Sequence, residues 1–145
     1  MKWITRKNIK VDRVACPWLI RRFVDPEAEF PFANEDELLR SAQAENAIPF
    51  DAPRVPEVKL NHRGNQCSFE AIIADYDLTA PGLARLALIA RAADIKEQES
   101  VAAEGMGLRA IAEGFAAMEL SDEERLARGF PIYDALYDYC CCIGG

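Results

Sequence analysis

Three short apolar stretches in the first fifty residues do most to limit how this chain can fold. They are Lys2-Trp3-Ile4-Thr5, Glu29-Phe30-Pro31-Phe32 and Ala47-Ile48-Pro49-Phe50. Each has strand length, and helical patterns lie between them. Leu19, Ile20, Phe23 and Val24 recur on one helical face in the first interval, and Leu38, Leu39 and Ala42 do so in the second. Strand–helix–strand–helix–strand order predicts a small, mostly parallel sheet with right-handed crossovers. Sites in such sheets gather at the carboxyl ends of the strands. That rim would hold Arg6 to Arg13, Phe32 to Asn34, and the residues from Asp51 onward.

The first helix is expected to start late. Proline suits the first helical position and biases the residue before it toward extended backbone. Cys16 is therefore expected at the N-cap and Pro17 at the first turn, with Asp25-Pro26 as the stop. Asn34 is the expected cap of a helix over about 35–45. Residues 51–66 form a proline-rich loop ending in His62-Arg63-Gly64-Asn65-Gln66, and loops of this length in compact domains are often functional. The remainder reads as helical. Cys67-Ser68-Phe69-Glu70 has capping-box spacing with Cys in the Ser/Thr position, and Pro81 opens a helix to about Asp94. A further helix covers about 103–119. Ser121-Asp122-Glu123-Glu124 caps a short helix, Gly129 breaks it, and Pro131 opens a last helix to about Cys141.

The chain of 145 residues suits a single domain over 1–145. Half of its residues are hydrophobic and 28% are charged, a globular balance rather than a disordered one. Its apolar runs are too short for a bilayer span, and its first residues lack the pattern of a secretory signal. With 17 Lys+Arg against 24 Asp+Glu, the net charge of −7 argues against direct nucleic-acid binding. The cysteines, Cys16, Cys67, Cys140, Cys141 and Cys142, are odd in number and three are adjacent. That is a poor disulfide framework and points to a reducing cytoplasm. Adjacent helical thiols diverge by about 100° and converge poorly on one soft metal. The final Cys142-Ile143-Gly144-Gly145 matches a prenylation pattern only formally.

Two constellations could carry chemistry. In Asp12-Arg13-x-x-Cys16-Pro17-Trp18-x-x-Arg21-Arg22, a helix N-terminus with nearby guanidinium groups favours anions. A cysteine there would have a lowered pKa. Arg13, Arg21, Arg22 and Trp18 are the candidate anion-binding residues, and Cys16, Arg13 and Glu70 the candidate catalytic groups. The same residues could equally be a buried cap and solvated arginines. The second constellation centres on His62, the single histidine. His62, Cys67, Glu70 and Asp94 could hold one divalent metal ion, although a capping box alone would account for Cys67 and Glu70. Asp94 falls close to the inward stripe of its helix, and a carboxylate there needs a partner. Arg13, Arg91, His62 or a metal could serve, and Asp12 could join the set.

Several blocks resemble the ChrB-type chromate-resistance domain. They are Lys2-Trp3-Ile4-Thr5-Arg6, Lys10-Val11-Asp12-Arg13-Val14-Ala15-Cys16-Pro17-Trp18-Leu19-Ile20-Arg21-Arg22-Phe23, and Ile48-Pro49-Phe50-Asp51. His62-Arg63-Gly64-x-x-Cys67-Ser68-Phe69-Glu70, Arg91-Ala92-Ala93-Asp94 and Tyr133-Asp134-Ala135-Leu136-Tyr137 extend the likeness over nearly the whole chain. The resemblance implies a bacterial stress-response role in chromate resistance or chromate-responsive control. In the longer ChrB proteins this domain follows an amino-terminal one. Three functions follow as expectations. The first is binding of chromate or a sulfate-like oxyanion at the Arg/Cys helix start. The second is a metal-dependent enzyme acting on a small molecule. The third is an interaction module, using the last two helices, for a second copy or a regulatory or transport partner.

Overall fold

The computed structural model describes residues 1–143, so the end of the Cys142-Ile143-Gly144-Gly145 tail lies outside it. The elements run β1 (Lys2–Arg6), α1 (Val11–Phe23), β2 (Phe32–Ala33), α2 (Leu38–Glu45) and β3 (Ala47–Pro49). They continue with α3 (Ser68–Asp75), α4 (Leu83–Asp94), α5 (Glu104–Ala117) and α6 (Asp122–Cys142). This is the expected α/β architecture. The three strands are parallel in the order β2-β1-β3, with Thr5 opposite Phe32 and Trp3 opposite Ile48. The second strand is shorter than the sequence predicts. Glu29 makes only an isolated bridge to Lys2, and the ladder resumes at Phe32. Pro31 between them has no N–H to donate.

Alternation along β1 divides the interior. Trp3 joins the main core with α1, α3, α4 and α6, while Ile4 points to a second cluster with Ala33, Leu38, Ala42, Ala52 and Val58. Helix α1 runs through the main core, buried at Val11, Asp12 and every residue from Val14 to Ile20. A helix apolar around most of its circumference belongs inside.

Two helix boundaries differ from expectation, for one reason. Helix α1 starts at Val11, so Cys16 and Pro17 lie in its middle rather than at its N-terminus. Helix α6 runs unbroken through Gly129 and Pro131. An interior proline removes one helical hydrogen bond and costs about 3 kcal/mol, which packing of the two helices on each other offsets. Gly129 permits their approach, since a Cβ there would lie 2.6 Å from Val14 Cγ1. Tyr133 Oη donates to the Val11 carbonyl at 3.1 Å, and the Trp18 ring sits 5.7 Å from that of Tyr137. Among the described residues, no helix is long and apolar enough to cross a membrane.

Candidate metal centre

Four acidic or imidazole side chains converge where β1 and β3 end. Asp12 comes from the first turn of α1, Asp51 from just beyond β3 after the isolated Phe50–Leu60 bridge, His62 from the long loop, and Asp94 from the last position of α4. One donor atom from each lies within 4.8 Å of the others.

Local chemistry explains each placement. Asp12 in a helix first turn is favoured by the helix dipole. Its Oδ2 also accepts from the Ser68 and Phe69 amides, at 2.6 and 3.3 Å, at the open start of α3. Asp51 has φ +48°, in the left-handed region that Asp tolerates better than most residues. Its carbonyl accepts from Thr5 Oγ1 and Arg6 Nε, and its Oδ1 accepts from Ser68 Oγ at 2.7 Å. Asn61 organises the loop. Its side chain accepts from the Ala52 amide and donates to the Ala52 carbonyl, and its Oδ1 also accepts from the His62 amide. That bridge brings His62 back against the end of β3. Arg109 donates to the Ala92 and Ala93 carbonyls and so secures the end of α4 that carries Asp94.

The imidazole is the hub. His62 Nε2 lies 3.0 Å from Asp94 Oδ2, 3.5 Å from Asp51 Oδ1 and 4.0 Å from Asp12 Oδ2. Two ligand atoms held tetrahedrally about 2.1 Å from one ion stand about 3.4 Å apart, so these spacings fit donors around a common centre. Contacts with Asp51 and Asp94 push the His62 pKa up to about 10. Burial, reinforced by the Asp94 and Asp51 charges, pushes the Asp12 carboxyl well above its usual range. Burial pushes Asp51 upward too, but the His62 and Ser68 hydrogen bonds and the Arg13 charge outweigh it and hold Asp51 low. Arg13 Nε stands 3.6 Å from Asp51 Oδ2, with its NH1 on the Arg6 and Lys7 carbonyls.

One atom is left over. Asp12 is 1% exposed, and its Oδ1 is buried with no hydrogen-bond partner. A buried carboxylate oxygen without a donor is costly, and this one belongs to a member of the cluster. One imidazole and three carboxylates form an oxygen-rich set suited to Mn2+, Fe2+ or Zn2+ rather than to soft ions.

The expected metal set is brought together only in part. His62 and Asp94 meet, and Asp12 and Asp51 complete the group. Cys67 and Glu70 are held elsewhere: Cys67 caps α3, and Glu70 closes the capping box while pairing with Arg91 at 3.0 and 2.6 Å. Burial, then Asp12 and Glu70, drives the Cys67 thiol far above its ordinary range. The expected anion site at a Cys16 helix start is not formed. Cys16 is fully buried in mid-helix, and burial followed by the Asp12 charge pushes its thiol well up, opposite to the lowered pKa expected. Arg21 and Arg22 lie in the last turn of α1, far along the helix from Arg13. Arg21 donates to the Ala28 carbonyl between the Phe30 and Phe130 rings. Arg22 and Trp18 Nε1 both donate to Asp134 Oδ1. Sequence reasoning passed over Asp51 as a ligand. Its signal was the strand end itself, since it is the first polar residue after an apolar strand at the rim where sites gather.

The family model described as ChrB, C-terminal domain, matches residues 3–140. Protein ChrB of Cupriavidus metallidurans (strain CH34) is 33% identical over 139 residues, covering 95% of this chain and 40% of that protein. The chain thus spans well under half the length of that relative. No solved structure matches it.

Proposed function

Because the chain belongs to the ChrB C-terminal domain family, we propose that it is a chromate-resistance-related protein built around a divalent-metal centre on Asp12, Asp51, His62 and Asp94. The observation that carries this reading is the convergence of four donors, one of which, Asp12, also keeps a buried second oxygen without a hydrogen-bond partner. A bound ion would act as a Lewis acid toward an oxygen-bearing small molecule. The chain's own groups set the stage for it. Ser68 and the α3 amides orient Asp51 and Asp12, Asn61 fixes His62, and Arg13 balances Asp51. Neither Cys16 nor Cys67 has the exposure or the thiolate character of a reactive group.

The test is calorimetric titration of tag-free protein with Mn2+ and with Zn2+, alongside the H62A and D94N variants. About one ion per chain is expected, with affinity falling on the order of 100-fold or more in either variant. Equal uptake by the wild type and by folded variants, or none by the wild type, overturns the proposal.

A further inference from the structure

A cleft between α1, α5 and α6 is walled by Val14, Leu108, Phe115 and Ile132, and none of the four proposed metal ligands lines it. Among the described residues no acidic side chain lines it either, but Arg125 does. Arg125 is 8% exposed. Its Nε donates to the Leu120 carbonyl at 3.1 Å and its Nη1 to the Ile9 carbonyl at 3.0 Å. The other N–H groups of the guanidinium have no partner, and no carboxylate at ion-pair distance, among the described residues. Asp122, one turn back on α6, gives its two oxygens to the Asn8 and Ile9 amides at 3.1 and 2.9 Å. Lys10 also borders the cleft, but Glu113 matches it. A buried charge without its opposite is unfavourable, and here it borders apolar walls.

We propose that this cleft binds a small apolar monocarboxylate, its head group on Arg125 and its hydrocarbon tail between α5 and α6. The free Nη1–Nη2 edge of a guanidinium can take a carboxylate through two parallel hydrogen bonds. One charge matches one cation. A dianion would bring a surplus negative charge among apolar side chains, and a neutral chain would leave Arg125 as it stands. The inference is independent of the metal-centre reading, and no bond is made or broken.

The enclosed part of the cleft is about 20 Å3, room for about one water molecule, so the tail must displace a wall. Helix α5 is built to yield. Its amino end is locked on α4, where a Cβ on Gly105 would lie 2.4 Å from Ala92 Cβ. Past Leu108 none of its residues is buried, and Ile111, on the cleft wall, is 42% exposed. The outer part of α5 therefore lies over the cleft as a flap held by few buried contacts.

The experiment is calorimetric titration of the wild-type protein with hexanoate, with hexanol and sulfate as controls for the charge and for the tail. About one hexanoate per chain is expected, and hexanol and sulfate should each bind weaker by on the order of tenfold or more. In R125K, which keeps the charge and loses the planar fork, hexanoate affinity should fall on the order of tenfold. A112F fills the cleft from the α5 wall, leaves Arg125 in place and should abolish binding. R54Q, on the long exposed loop, should bind as the wild type does. Absence of saturable hexanoate binding to the folded wild type overturns the site. So does hexanol or sulfate binding as tightly as hexanoate, or wild-type affinity in folded A112F. The wild-type ligand series decides the matter even if R125K fails to fold.

Discussion

The two ends of α1 carry similar chemistry to different ends. At its carboxyl end, Trp18, Arg21 and Arg22 are polar or charged, and every one is satisfied within the fold. Asp134 takes Trp18 and Arg22, the Ala28 carbonyl takes Arg21, and aromatic rings cover both guanidinium groups. At its amino end, Asp12 meets two further carboxylates around a single imidazole and keeps one buried oxygen without a donor. The first arrangement is complete as it stands and serves to dock α6. The second is short of positive charge. Polar groups alone do not mark a site; groups whose demands the chain leaves unmet do.

The sharpest way to break this contrast is at Asp12. In D12N the side-chain oxygen can still accept from the Ser68 amide, so the fold should persist. Mn2+ or Zn2+ affinity should fall on the order of 100-fold, read by calorimetry, while R21A and R22A leave it unchanged. Loss of metal binding in the arginine variants would erase the distinction.

The second prediction concerns pH. In the metal-free protein His62 has its pKa raised from about 6.5 to about 10 by Asp51 and Asp94. Its ion pairing therefore stabilises the fold fully below about pH 6.5, and this contribution is lost as pH rises through about 10. An imidazole ligates a metal only in its neutral form, so binding displaces that proton. Metal affinity should increase from pH 6 to 8, with proton release seen as a dependence of the binding heat on the buffer. Flat affinity across that range would detach His62 from the centre.

Next in size is the packed end of the helix. W18F removes the donor to Asp134 and part of a buried ring, and should cost about 1–2 kcal/mol in denaturant unfolding. Metal affinity in the folded variant should stay within about twofold of wild type, as expected for a distant, independent site. S68A removes the 2.7 Å hydrogen bond to Asp51 and should cost about 1 kcal/mol, with a several-fold loss of metal affinity as well. The smallest effect is expected for D134N. The Asn oxygen still accepts from Trp18, and only the exposed Arg22 pair is lost, for less than about 1 kcal/mol.

Much of this was legible in the sequence. The parallel sheet followed from the spacing of its apolar stretches, and the α3 capping box from Cys67 and Glu70. Asp94 was flagged by its place near an inward helical stripe, and His62 by being the single histidine. The errors share a cause. Propensity is a local quantity and places Pro17 and Pro131 each in a first turn. Both lie inside helices held by tertiary packing, with Gly129 against Val14. That misplaced start put Cys16 at a helix end and joined Arg21 and Arg22 to Arg13, and the expected anion site depended on that. Asp51 and Asp12 meet His62 through the Asn61 bridge and the α3 amides, contacts between distant positions that no periodicity announces.

The four converging donors also bear on the order in which the chain takes shape. They lie on separate stretches from Asp12 to Asp94, and β2, α2, β3, the long loop and α3 lie between them. Half of the set has no use until the rest arrives. An ion gripping all four would cross-link the early and middle parts of the chain and add its binding energy only to the finished fold. Metal uptake would then be a late event in maturation, and a chain that had stalled partway would be recognisable by its failure to retain the ion.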